Sequence, residues 1–162
     1  MNLENRRLNN ELEEASEPSL LTPGGGIGRF GPASPDPERP AMAYDNNNIF
    51  ARILRGEIPC DKVYEDEHVL AFRDIRPHAK VHVLLIPKGA YVSLEDFSAR
   101  ASDAEIVAFH RAIPRITAQI GVAVTGYRAI ANSGADSHQE VPHYHLHLLG
   151  GQRLGPLLSL PH

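Results

Sequence analysis

The spacing of apolar positions changes along the chain, and each spacing predicts an element. Ile49, Phe50, Ile53 and Leu54 give an apolar side to a short helix that Asn48 can cap and that runs through Arg55 to Gly56. Lys62–Glu65 and Val69–Arg73 read as two short strands with an acidic turn between them, and Val81–Ile86 as a central strand closed by Pro87. A long helix is predicted from Asp103 to Ile120. Ser102 and Glu105 form a capping box, Gly121 ends the helix, and Ile106, Phe109, Ile113, Ile116 and Ile120 mark one face. Pro114 lies inside it and removes a backbone donor, so a kink is expected there. Gly126–Ala131 reads as a strand, Asn132–Gln139 as a polar loop, and Val141–Leu149 as the last strand. Five strands and two helices with hairpin-like connections predict an α+β fold: a mostly antiparallel five-stranded sheet with one long and one short helix.

The pattern fails before this point. Residues 16–41 are rich in Pro, Gly and Ser and bury too little apolar surface to offset their ordering entropy. Residues 2–15 place Leu3, Leu8 and Leu12 at roughly helical spacing, a length that is marginal for a lone helix. Residues 1–41 are therefore expected to be a disordered or loosely attached extension, and residues 42–162 a single domain. Gly26-Ile27-Gly28-Arg29-Phe30-Gly31 matches the phosphate-loop pattern G-x-G-x-x-G, but no strand precedes it and Pro32 follows, so it reads as linker.

Composition narrows the function classes. The chain of 162 residues carries a net charge of −4, without the basic excess of a nucleic-acid binder. A small anionic ligand remains compatible, because one site can be electropositive in a near-neutral domain. The single cysteine, Cys60, allows neither an internal disulfide nor a C-x-x-C zinc site. No apolar run approaches a membrane span and the N-terminus lacks a signal-peptide core, so a cytoplasmic protein without a membrane partner is expected.

The chemistry concentrates in Pro142-His143-Tyr144-His145-Leu146-His147-Leu148-Leu149-Gly150-Gly151. On a strand, His143, His145 and His147 share one face, and Tyr144, Leu146 and Leu148 share the other. Coulomb repulsion opposes charging three adjacent rings, so at least one imidazole is expected to stay neutral as a nucleophile or base. The alternatives are a polar strand face, which rarely repeats His at period two, and a metal site. Strand neighbours on one face lie about 6–7 Å apart, which suits three ligands to one ion poorly. No metal and no cofactor is therefore expected.

The segment His-φ-His-φ-His-φ-φ resembles the signature of the histidine-triad family, and Gly150-Gly151-Gln152-Arg153-Leu154-Gly155-Pro156-Leu157 resembles its bacterial Hint branch. Ile49-Phe50, Gly56-Glu57-Ile58-Pro59, Ala71-Phe72-Arg73-Asp74-Ile75, Pro77, His82, Ile86-Pro87-Lys88, Asn132 and Gln139-Glu140-Val141 match the same pattern in order, so the resemblance covers about residues 46–158. Gln152-Arg153 departs from the usual Arg-Pro order, and Glu140 stands where animal members carry Ser.

The resemblance implies a phosphoramidase that cleaves the P–N bond of purine nucleoside phosphoramidates, and related nucleoside monophosphate esters or acyl-nucleotides. His145 would be the nucleophile, forming a nucleotidyl-imidazole that water hydrolyses. His143 and His82 would orient and buffer the site, His147 would contact the phosphate, and Asn132 would sit near the phosphate or leaving group. Asp74 would hold the ribose hydroxyls beside Ile75, while Phe50 and Ile53 would line the base pocket. The physics of the nucleophile requires the other ring nitrogen to be protonated and bonded, with a backbone carbonyl of the same strand as the expected acceptor. Positive imidazoles and backbone N–H groups are expected to stabilise charge at phosphorus without a metal. The resemblance also implies a homodimer whose sheets join across the two-fold axis, with the long helix packed there. The alternatives are a dinucleoside polyphosphate hydrolase, whose branch usually carries Pro-Arg in place of Gly150-Gly151, a non-catalytic nucleotide-binding module, and a metal-binding protein.

Overall fold

A computed structural model describes residues 43–157. The expected helix over 2–15, the extension over 1–41 and the G-x-G-x-x-G linker lie outside these residues. In chain order the elements are α1 (Ile49–Leu54), β1 (Lys62–Glu65), β2 (Val69–Arg73), β3 (Val81–Pro87), α2 (Leu94–Arg100), α3 (Asp103–Gln119), β4 (Tyr127–Ile130) and β5 (Leu146–Gly150). The strands form one sheet in the order β1-β2-β3-β5-β4. Every neighbouring pair is antiparallel.

Alternation along the strands divides the core into two clusters. Val69 and Ala71 of β2, Val83 and Leu85 of β3 and Leu148 of β5 pack on the side of the long helix, against Phe109, Ala112 and Ile116 of α3. Leu70, Phe72, Leu84 and Ile86 turn to the opposite side and meet Phe50 of α1. Period-two alternation therefore puts β2 and β3 between two apolar layers. The even-numbered His82 belongs on the α1 side of β3, and His147, between Leu146 and Leu148, on the same side of β5. Both histidines thus lie on the sheet face away from α3.

The sequence-level elements reappear with three changes. The helix α2 was not predicted; it is a single short amphipathic segment capped by the Ser93 side chain, which accepts from Asp96 N–H. Its one fully buried residue, Phe97, carries most of its packing, with ring contacts to Tyr91, Phe109 and Tyr144. The long helix keeps its capping box and continues through Pro114 as one element, the Thr117 hydroxyl donating to the Pro114 carbonyl. The third change is a late start for the last strand, at Leu146 rather than Val141. Pro142 has no N–H for a ladder, and Tyr144 N–H is spent on the Tyr91 carbonyl.

Two glycines close the triad strand. A Cβ at Gly150 would lie 2.8 Å from Val122 Cγ1, and one at Gly151 would lie 2.8 Å from Val81 Cγ2 at a φ of +74°. The Gly-Gly pair is therefore a steric requirement where β5 passes β3 and the turn after α3.

Replacing Phe97 by Ala is expected to lower stability by about 3–5 kcal/mol, because the site is enclosed by three other rings and cannot collapse. Urea denaturation measures this; a loss within the range of an exposed substitution would contradict the central role of α2 in the core.

Candidate active site

The site grows from the segment between Gln139 and β5. Gln139 anchors it: its side-chain NH2 donates to the carbonyls of Val92 (2.6 Å) and Val141 (3.1 Å), and its side-chain oxygen accepts from Gly134 N–H (2.9 Å). Beyond it, Tyr144, Leu146 and Leu148 turn into the helix-side cluster, Tyr144 stacking on Phe97 and Phe109. The three histidines turn the other way even though only His147 lies within the strand. The Phe50 ring stands 6.0 Å from that of His143 and 5.2 Å from that of His145, edge-on to both. His145 and His147 rings are 4.9 Å apart.

Hydrogen bonds fix which nitrogen of each ring carries the proton. A carbonyl can only accept, so His145 Nδ1, 2.7 Å from the His143 carbonyl, is protonated and its Nε2 holds the lone pair. His143 Nε2 likewise donates to the Pro87 carbonyl at 2.9 Å. On β3, the His78 backbone N–H donates to His82 Nδ1 at 3.2 Å, which leaves His82 Nε2 as the protonated atom. It donates to His147 Nδ1 at 2.9 Å. His147 Nε2–H is then the free end of this relay. His82 and His147 are diagonal neighbours, since His147 pairs with Leu84 and His82 with Leu149.

All four rings are held below the ordinary histidine range, which favours their uncharged forms at neutral pH, and burial is the first cause. Desolvation pushes His143 down to about 4, with a smaller push from His145. It also pushes His147 down to about 4, with added repulsion from His145 and His82. His82 and His145 are lowered by burial as well. Repulsion between rings, the cause expected from the sequence, is secondary. The expectation of positive imidazoles is corrected: with charge disfavoured by burial, the rings present N–H dipoles and lone pairs.

Asp74 lies beside the relay. One carboxylate oxygen accepts from Arg76 N–H at 2.7 Å, and the other stands 3.6 Å from His82 Nε2. Asp74, His82 and His147 thus bring three potential ligand atoms within 4.8 Å of one another. The proton pattern opposes a metal here. Binding through Nε2 would move the His82 proton to Nδ1, facing the His78 N–H head-on.

The remaining predicted residues fall at different depths. Phe50 is buried and Ile53 packs against the same cluster. Ile75 follows Asp74 and is 87% exposed, presenting a free apolar surface. Asn132 is half-buried two residues past β4. Ile130, the last residue of β4, pairs with His147 of β5. Sequence reading missed Phe72, whose ring meets Phe50 at 5.7 Å, as well as Gln139 and the backbone of His78. Alternation along β2 carried a signal for Phe72; nothing local marked His78.

The model of the HIT domain matches residues 55–154 of the chain. An uncharacterized 13.2 kDa HIT-like protein of Azospirillum brasilense is 57% identical over 119 residues, covering 74% of this chain and 98% of the relative. The purine nucleoside phosphoramidase of Escherichia coli K12 is 45% identical over 111 residues, covering 68% and 92%. A solved HIT family hydrolase from Clostridium thermocellum superposes with a TM-score of 0.66 at 37% identity, covering 71% of this chain and 99% of the other. With its antiparallel five-stranded sheet and histidine row, the chain belongs to the HIT domain family.

Because the folded rings resist protonation until about 4 while free histidine titrates near 6.5, the unfolded chain binds more protons in that interval. His143 and His147 therefore contribute stability that is complete above about 6.5 and is lost as pH falls toward 4. Nitrogen-15 imidazole spectra at pH 5 are expected to show both rings neutral. Cationic rings at that pH would contradict their burial.

Proposed function

We propose that the protein is a nucleoside phosphoramidase that cleaves the P–N bond of purine nucleoside phosphoramidates, and related nucleoside monophosphate esters and acyl-nucleotides, through a nucleotidyl-histidine intermediate. The observation that carries this reading is the bond from His145 Nδ1–H to the His143 carbonyl, which leaves an aimed lone pair on Nε2 of a buried neutral ring. The phosphoramidase of Escherichia coli, similar over most of its own length, supports the choice of reaction.

In this mechanism His145 Nε2 attacks the α-phosphorus, the P–N bond breaks, and the departing amine takes up a proton from solvent, which the later attack of water returns. Positive charge then grows on the His145 ring, and its Nδ1–H bond to the carbonyl strengthens in response. His147 Nε2–H is directed to a phosphate oxygen by the relay from His82, and Asn132 is assigned to the phosphate or the leaving group. Water then attacks the phosphorus, releasing the nucleoside monophosphate and restoring the imidazole, so one hard displacement becomes two easier ones. Asp74 accepts from the ribose hydroxyls beside Ile75, and Phe50 and Ile53 take the base. No step calls for a metal or cofactor. The activity is assigned to residues 42–162 and to the cytoplasm, a setting consistent with the lone Cys60.

The same reading includes a homodimer. Among the described residues strand β4 pairs only with β5, and its Tyr127 is exposed, as is Val107 of α3. A second copy would cover both and continue the sheet. Light scattering at micromolar protein is expected to give twice the chain mass, and a monomer would refute the pairing.

Replacing His145 by Ala is expected to reduce hydrolysis of an adenosine phosphoramidate by roughly a thousandfold or more. Early quenching of the intact protein with substrate is expected to give a mass increase of one nucleotidyl group on His145. Full activity of the variant would overturn the mechanism. Nucleotide binding without turnover by the intact protein would favour a non-catalytic module, and preferential cleavage of dinucleoside polyphosphates would favour that branch.

A further inference from the structure

His143 is the most enclosed residue of the triad, at 0% exposure, yet its role in the reaction is indirect. Its backbone carbonyl is the acceptor that sets the His145 tautomer. Its ring is held at both ends. Nε2–H donates to the Pro87 carbonyl, and Nδ1 accepts from the Tyr44 hydroxyl, 99 residues away in the chain. The Tyr44 and His143 rings also meet edge-on, 5.5 Å between centroids.

Tyr44 reaches this point because the segment before α1 is itself pinned. Asp45 offers its carbonyl to the Asn48 backbone N–H (3.1 Å) and to the Asn48 side-chain NH2 (2.7 Å). The Asn48 side-chain oxygen accepts from the N–H groups of Phe50 and Ala51 and so caps α1. One short stretch therefore places both the Phe50 ring beside His143 and His145 and the hydroxyl on His143.

We propose that Tyr44 is a positioning residue of the triad, whose hydroxyl locks the His143 ring and thereby holds its backbone carbonyl against the nucleophile. The proposal rests on the phosphoramidase reading for its consequence but not for its geometry. Without the hydroxyl, His143 Nδ1 becomes a buried acceptor with no donor, and the ring gains by turning toward another one. Such a turn releases the residue whose carbonyl aims His145.

The test uses the full-length protein and Tyr44→Phe, which keeps the ring and removes only the oxygen. In the wild type, nitrogen-15 imidazole spectra are expected to show His143 protonated at Nε2 and bare at Nδ1. In Tyr44→Phe the His143 Nδ1 signal is expected to shift and the His145 signals to move with it. The kcat on an adenosine phosphoramidate is expected to fall about tenfold, as loss of one buried hydrogen bond implies. KM is expected to stay within about twofold, since the lost interaction serves the transition state.

A wild-type His143 protonated at Nδ1 overturns the proposal, whether or not the variant folds. A variant with unchanged spectra, or with unchanged kcat, also overturns it. The spectra need no turnover, so a wild type inactive on phosphoramidates would refute the assigned reaction and leave Tyr44 to be judged on its effect on the His143 and His145 rings.

Discussion

One hydrogen bond orders the site. When His145 donates Nδ1–H to the carbonyl two residues behind it, the ring has a single lone pair, a fixed plane and a fixed direction. The bond requires a carbonyl that points forward along the chain, and a regular ladder would spend that carbonyl on a neighbouring strand. The segment from Val141 to His145 runs outside the ladder before β5 begins, and this departure makes the acceptor available. Pro142, Gln139 and the Tyr144–Tyr91 backbone bond together maintain it.

Burial does the rest of the electrostatic work. The apolar layer built on Phe50 and Phe72 excludes water from the histidine row, and exclusion of water disfavours charge on every ring. With all rings neutral, each has one donor and one acceptor nitrogen, so a directional relay becomes possible. His78 N–H, His82 and His147 form such a relay, and a cation anywhere along it would erase its sense.

Much of this was legible in the chain because local rules were consistent with the tertiary fold. Asn48, Ser102 and Glu105 announced helix starts, and the capping box at α3 formed as read. The alternation around His143, His145 and His147 told which residues face the core even though the ladder is shorter than the pattern. Helix α2 escaped because two turns give too few apolar repeats for a period to emerge, and its stability comes from Phe97 meeting rings distant in sequence. That at least one ring stays neutral was legible, though from a lesser cause, while the lowering of all four was not, since depth of burial is a property of the assembled layers. The partners of His143 and His82 were not legible at all: a phenol 99 residues away and a backbone amide carry no local signature.

A row of uncharged rings also ranks phosphates by their own charge. Dipoles solvate a single negative charge well, but each further charge brought out of water costs more than fixed dipoles return. For a nucleotide hydrolase this separates the two ends of the reaction. A phosphoramidate presents a blocked phosphate with one charge, while the released monophosphate carries between about 1.5 and 2 charges at neutral pH. In the reaction we propose, a site that takes the first is a poorer host for the second, and the ejection of product would follow from the same exclusion of water that disfavours charge on His145.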